Sequence, residues 1–91
     1  MKTYIHDPDA VLDYGFDWTT DDWLDDGETI ATSTWTVPTG ITKVDQSNTG
    51  TITAIWISGG TDGQFYRVIN HIVTSEGRED DRSFFLRVKD R

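Results

Sequence analysis

Gly63-Gln64-Phe65-Tyr66-Arg67-Val68-Ile69-Asn70-His71-Ile72-Val73-Thr74-Ser75-Glu76-Gly77 is the stretch that decides the fold. It runs from one glycine turn to another. Tyr66, Val68, Asn70, Ile72 and Thr74 form one phase of a period-2 pattern, and Phe65, Arg67, Ile69, His71 and Val73 form the other. Both phases carry large apolar or β-branched residues. The pattern predicts a central strand with much of each face covered.

The remaining segments read as strands packed around it. Leu12, Tyr14, Phe16 and Trp18 alternate with Asp13, Gly15 and Asp17, a half-buried pattern over Val11 to Trp18. Thr29 to Val37 predicts a second strand, with Ala31, Ser33, Trp35 and Val37 on one face. A short strand over Ile41 to Gln46 is followed by a polar turn at Ser47 to Gly50. Over Thr51 to Ser58, Ile52, Ala54 and Trp56 share one face, and Thr53, Ile55 and Ile57 the other. Gly59 to Gly63 reads as a flexible loop, and Ser75 to Asp81 as a charged turn. Arg82 to Lys89 is the last strand, with Phe84, Leu86 and Val88 inward and Phe85, Arg87 and Lys89 outward.

The class is all-β, an immunoglobulin-like antiparallel β-sandwich of about six to seven strands. The core is expected at Leu12, Tyr14, Phe16, Trp35, Trp56, Tyr66, Val68, Ile72, Phe84, Leu86 and Val88. Residues 1–9 read as an extended N-terminal arm, with Asp7-Pro8-Asp9 as punctuation, and residues 10–91 as one sandwich domain.

Ninety-one residues suffice for one domain with a modest core. Four Trp, three Tyr and four Phe supply large buried area per residue. With no cysteine, neither a disulfide nor a thiolate metal site is available. No apolar run is long enough for a membrane helix, and the N-terminus lacks the apolar core of a signal peptide. The net charge of −8 repels phosphate backbones, so neither nucleic acid nor membrane is the expected partner.

Motifs for chemistry are sparse. The acidic cluster Asp17, Asp21, Asp22, Asp25, Asp26 and Glu28 lacks calcium-loop spacing, and Trp23-Leu24 interrupts it. His6 and His71 have no partner at metal-ligand spacing, and no serine sits in a nucleophile-elbow motif. The Gly59 to Gly63 run lacks the lysine of a phosphate loop. No catalytic, cofactor or metal set is therefore predicted. Basic charge and one aromatic do gather on the last strand, at Phe85, Arg87, Lys89 and the terminal Arg91. Read as an open sheet edge, that strand is a candidate docking strip. The arm, through Tyr4, Ile5, His6 and Asp7, is the second candidate contact. A sugar-binding platform built from Trp18, Trp23 and Phe85 is an alternative use of the aromatics.

Several fragments in fixed order resemble a known family. They are Asp7 to Tyr14, Asp17-Trp18, Trp23-Leu24, Gly27 to Ile30, Trp35 to Ile41, Trp56 to Thr61, Gly63 to Tyr66 and Gly77 to Ser83. Together they resemble the small virion proteins of tailed bacteriophages described as fibre–tail adaptors. The resemblance implies a non-enzymatic structural protein of the virion, present in several copies. Its implied partners are other virion proteins: a neck or nozzle component and a fibre. Capsid decoration, with the major capsid protein as partner, is the alternative that a small phage sandwich leaves open.

Overall fold

The computed structural model describes residues 2–19 and 24–90. Within them the strands are β1 (Lys2–His6), β2 (Val11–Asp17), β3 (Ile30–Thr36), β4 (Ile41–Thr49), β5 (Ile52–Gly59), β6 (Phe65–Thr74) and β7 (Glu79–Val88). Two sheets face each other. Sheet A has the order β1-β7-β6-β3, and sheet B the order β2-β5-β4. The fold is an all-β sandwich, antiparallel apart from one pair: β1 runs parallel to β7.

β6, the stretch quoted first, lies inside sheet A between β7 and β3, as expected. Its phase through Val68, Asn70, Ile72 and Thr74 is buried. The other phase is less covered than its composition predicts: Phe65 and Arg67 are exposed, and Ile69, His71 and Val73 half-buried. On β7 the inward residues are Phe84, Leu86 and Val88, all fully buried. Phe84 is the hub of an aromatic cluster. The Tyr4, Tyr14, Phe16 and Trp35 rings lie 5.4, 5.4, 5.9 and 6.1 Å from its centroid. Phe16 and Trp35 also stack in parallel on each other. Such tilted and offset pairs add to the area term of a small core.

A buried polar node ties the two sheets together. Asn70 on β6 accepts hydrogen bonds at Oδ1 from the Thr53 hydroxyl, 2.7 Å, and the Trp18 indole N–H, 3.2 Å. Its amide donates to Ser33 Oγ and to the Thr34 carbonyl of β3. Both capacities of the side-chain amide are thereby used, which removes the desolvation penalty of a buried amide. Arg82 lies over the Trp18 ring, 4.3 Å from its centroid, and shields it from water.

This node explains where sequence phase misleads. Thr53 faces inward with Ile55 and Ile57, so Trp56 points outward and is half-buried rather than core. A threonine is tolerated inside because Asn70 and Trp18 satisfy it. Leu12 is also off the core, 41% exposed near the start of β2, an edge strand. On β3, Ile30 and Trp35 are both buried although an odd spacing separates them. A register shift between Ile30 and Thr32 accommodates this, since one extra residue re-phases the strand. Phe16 and Tyr66 are half-buried and pack on the main cluster. β4 runs on through the expected polar turn to Thr49, and β7 starts at Glu79, inside the expected charged turn.

Three further expectations fail. Residues 2–6 are not a free arm: they form β1, and the Lys89 N–H donates to the His6 carbonyl at 3.0 Å. Consequently β7 is no edge. It is paired on both sides, and the sheet edges are β1, β3, β2 and β4. Nor is the Gly59–Gly63 loop loose. The Gly63 N–H donates to the Val88 carbonyl, and Gly60, at φ +105°, lies so close that a Cβ would meet Val88 at 2.6 Å. Only glycine fits there.

The packing yields a direct comparison. Phe84→Ala should cost about 3–5 kcal/mol, as expected for a buried aromatic, whereas Leu12→Ser should stay within about 0.5 kcal/mol. Urea titration of both variants measures the difference, and equal costs would mean that β2 and β7 are misphased.

Candidate functional site

The parallel pairing of β1 with β7 brings the two predicted contact segments together. Thr3 lies opposite Phe85, and Ile5 opposite Arg87. β6 continues the same rows, with Phe65 opposite Arg87 and Arg67 opposite Phe85. One end of the outer face of sheet A thus carries Ile5, Phe65 and Phe85 among Arg67 and Arg87. Phe65 is 61% exposed and Ile5 43%, while Phe85 is half-buried. The Arg87 guanidinium stands 6.0 Å from the Phe65 ring centroid, and Arg67 Nε donates to Ser83 Oγ at 3.4 Å. Lys89 is exposed just beyond β7. On a chain of net charge −8, this is a local concentration of cations on an apolar floor.

The opposite end of the same face is acidic. His71 sits between Asp81, 2.5 Å from Nδ1, and Glu79, 2.9 Å from Nε2. Hydrogen bonds to Asp81 and then Glu79 raise its pKa above the ordinary 6.5. The face is therefore electrically polar along its strands.

The predicted contact residues divide accordingly. Ile5, Phe85, Arg87 and Lys89 reach this side of the molecule. Tyr4 and His6 turn inward, because alternate residues of a strand point to opposite faces. Tyr4 packs on Tyr14 and Phe84. His6 is fully buried, hydrogen-bonded through Nδ1 to the Tyr14 hydroxyl at 2.7 Å, and burial pushes its pKa below 6.5. A buried neutral histidine is not a docking residue. Asp7 makes the turn between the sheets, its carboxylate accepting the Asp9 N–H and its carbonyl the Ala10 N–H. Arg91 lies outside the described residues. Sequence reading missed Phe65 and Arg67. The signal was present: once Val68 and Asn70 point inward, their odd neighbours must point out.

The remaining candidates resolve differently. Trp18 is 0% exposed, so the sugar platform loses its first member, and Trp23 lies outside the described residues. So do Asp21 and Asp22 of the acidic cluster. Its last member, Glu28, is buried instead of solvated. It pairs with Arg78, accepts hydrogen bonds from the Thr74 hydroxyl and from the Asp25 N–H, and thereby clamps the chain before β3 to the β6–β7 turn. Asp25, Glu28 and Glu76 approach one another, but these bonds already occupy both Glu28 oxygens. Asp7, Asp9 and Asp90 also approach, as partly or fully exposed side chains.

What the site offers is a basic, aromatic surface. The family model described as podophage GP4 fiber-tail adaptor protein gp77 matches residues 6–87. The chain belongs to this family. Comparison with curated proteins gave no match. The adaptor is accordingly a structural, virion-associated protein whose partners are phage tail and fibre proteins. The match takes in β2 to β6 and β7 as far as Arg87, and begins at the last residue of β1.

The Glu28 clamp should make the fold acid-sensitive. The Arg78 hydrogen bond, ahead of those from Thr74 and Asp25, lowers the Glu28 pKa from 4.5 to about 2. A depressed folded-state pKa stabilises the fold above pH 4.5, and that contribution disappears as pH falls toward 2. Denaturation midpoints across this range should fall steeply for the native chain. Glu28→Gln should start lower at neutral pH and fall less. Parallel pH profiles would remove the clamp from the account.

Proposed function

We propose that the adaptor is a non-catalytic link between the tail and the fibres of a phage particle. In this reading it is made in the host cytoplasm and built into the virion in several copies. The basic, aromatic end of sheet A carries an assembly contact. The observation behind this assignment is the pair of registers β1–β7 and β6–β7, which sets Ile5, Phe85 and Phe65 beside Arg87 and Arg67 on one face.

The chemistry suits a protein partner. Arginine and aromatic side chains dominate binding energy at interfaces, because they combine large contact area with directed hydrogen bonds. The exposed Phe65 and Ile5 supply area that water leaves on docking. The cations select an acidic surface and speed encounter with it. The contact needs only modest strength per copy. Repetition in a symmetric particle multiplies weak contacts through effective concentration.

Phe65→Ala combined with Arg87→Glu tests the assignment, because neither residue belongs to the core. The variant should melt close to the native temperature. Its amount in purified particles should drop at least about tenfold, corresponding to a loss of about 1.4 kcal/mol or more. Particles carrying the variant at the normal level would contradict the assignment.

A further inference from the structure

The outer face of sheet B is the chemical counterpart of the basic end of sheet A. Trp56 on β5 stands directly opposite Asp13 on β2 in one direction and Asp45 on β4 in the other. A half-buried indole is thus framed by two exposed carboxylates. The same face carries Val11, 56% exposed, toward one end of the β2–β5 pair and Ile52, 53% exposed, toward the other. Among the described residues, no lysine or arginine pairs with Asp13 or Asp45. The face presents an apolar centre with uncompensated negative charge.

The two faces match in three respects. Their charges are opposite. Both expose apolar side chains among the charges: Phe65 and Ile5 on either side of Arg87 on one, Trp56, Val11 and Ile52 on the other. Their spacings are also compatible. Asp13 and Asp45 are two strands apart, roughly 10 Å at about 4.8 Å per strand. Arg67 and Arg87 are diagonal neighbours across β6 and β7. Such neighbours stand about 7–8 Å apart, and long side chains can splay to straddle the indole. Trp also accepts a guanidinium over its ring better than other aromatics do. A face-to-face pairing of two like faces is disfavoured, since it would juxtapose like charges.

We propose that these faces are each other's partners: the Arg67–Arg87–Phe65 end of sheet A in one copy seats on the Asp13–Trp56–Asp45 face of sheet B in the next. This rests on the assembly role of the basic end and names its partner as a second copy of the chain. The contact joins unlike surfaces on opposite sides of the sandwich. Repeated, it is head-to-tail, and it closes into a ring if its rotation permits.

Sedimentation velocity from about 10 µM to about 1 mM, the range in which weak interfaces assemble, tests the pairing. The native chain should self-associate, and less so as salt rises. Arg67→Ser with Arg87→Ser should be monomeric, and so should Asp13→Asn with Asp45→Asn. Each variant keeps one intact face, so an equimolar mixture should form a one-to-one dimer and stop there. A native chain that stays monomeric throughout overturns the proposal, as does a mixture that stays monomeric. Either variant assembling like the native chain overturns it too. The two readings separate in the particle. If the native chain is monomeric yet the Arg67/Arg87 variant is excluded from virions, the contact stands and its partner is another virion protein. If that variant incorporates normally, the contact assignment itself falls.

Discussion

The five-residue parallel pairing of β1 with β7 is the constraint on which the functional reading depends. Without it, β7 would be the open edge of sheet A, and its basic residues would flank unpaired backbone. With it, the strand is closed on both sides, and its outer residues become part of a flat face. A short parallel strand contributes little through hydrogen bonds alone. What holds β1 is its inward phase: Tyr4 enters the ring cluster around Phe84, and His6 bonds to Tyr14 on the opposing sheet. The same alternation turns Thr3 and Ile5 outward. One packing event therefore fixes the strand and sets a side chain of the proposed contact face.

Register elsewhere is specified by polar atoms as much as by apolar ones. The Asn70–Thr53–Trp18 node uses every capacity of the asparagine amide and joins β3, β5 and β6 to the end of β2. A one-residue slip of β5 would send Thr53 outward and leave the Asn70 oxygen short of a donor. That would cost about 1–3 kcal/mol for the unsatisfied group, besides exposing Ile55 and Ile57. The slip would also bring Trp56 inside and remove it from between Asp13 and Asp45. The buried node and the acidic face are thus two consequences of a single register.

The readable parts of the fold were those with strong, unbroken alternation. β6 declares itself a strand by its period-2 run, and on β7 the inward phase Phe84, Leu86 and Val88 follows from composition. Asp7-Pro8-Asp9 reads correctly as a turn because proline and the aspartate side chain both act locally. β1 was obscure for the opposite reason: Lys2-Thr3-Tyr4-Ile5-His6 has one clear apolar residue per phase, and its stability comes from distant partners. β3 was misphased at Ala31, which is exposed, because a register shift leaves no local signature. Trp56 was assigned to the core on hydrophobicity, whereas a hydrogen-bonded threonine held the inward position. The contact face was half legible. Its β7 residues stood out by charge, but Phe65 and Arg67 were concealed in a strand whose two phases both looked buried.

An acidic chain with one basic, aromatic end has a direction. That end is a closed face rather than an open edge only if β1 lies on β7 in the free protein. Amide hydrogen exchange on the isolated chain, resolved to the segment Lys2–His6, tests this most directly. The account predicts slowed exchange at alternate amides of that segment, the pattern of an edge strand bonded on one side. Exchange at the rate of an unstructured peptide throughout Lys2–His6 would contradict it, because β7 would then be an open edge and Ile5 would not stand beside Arg87.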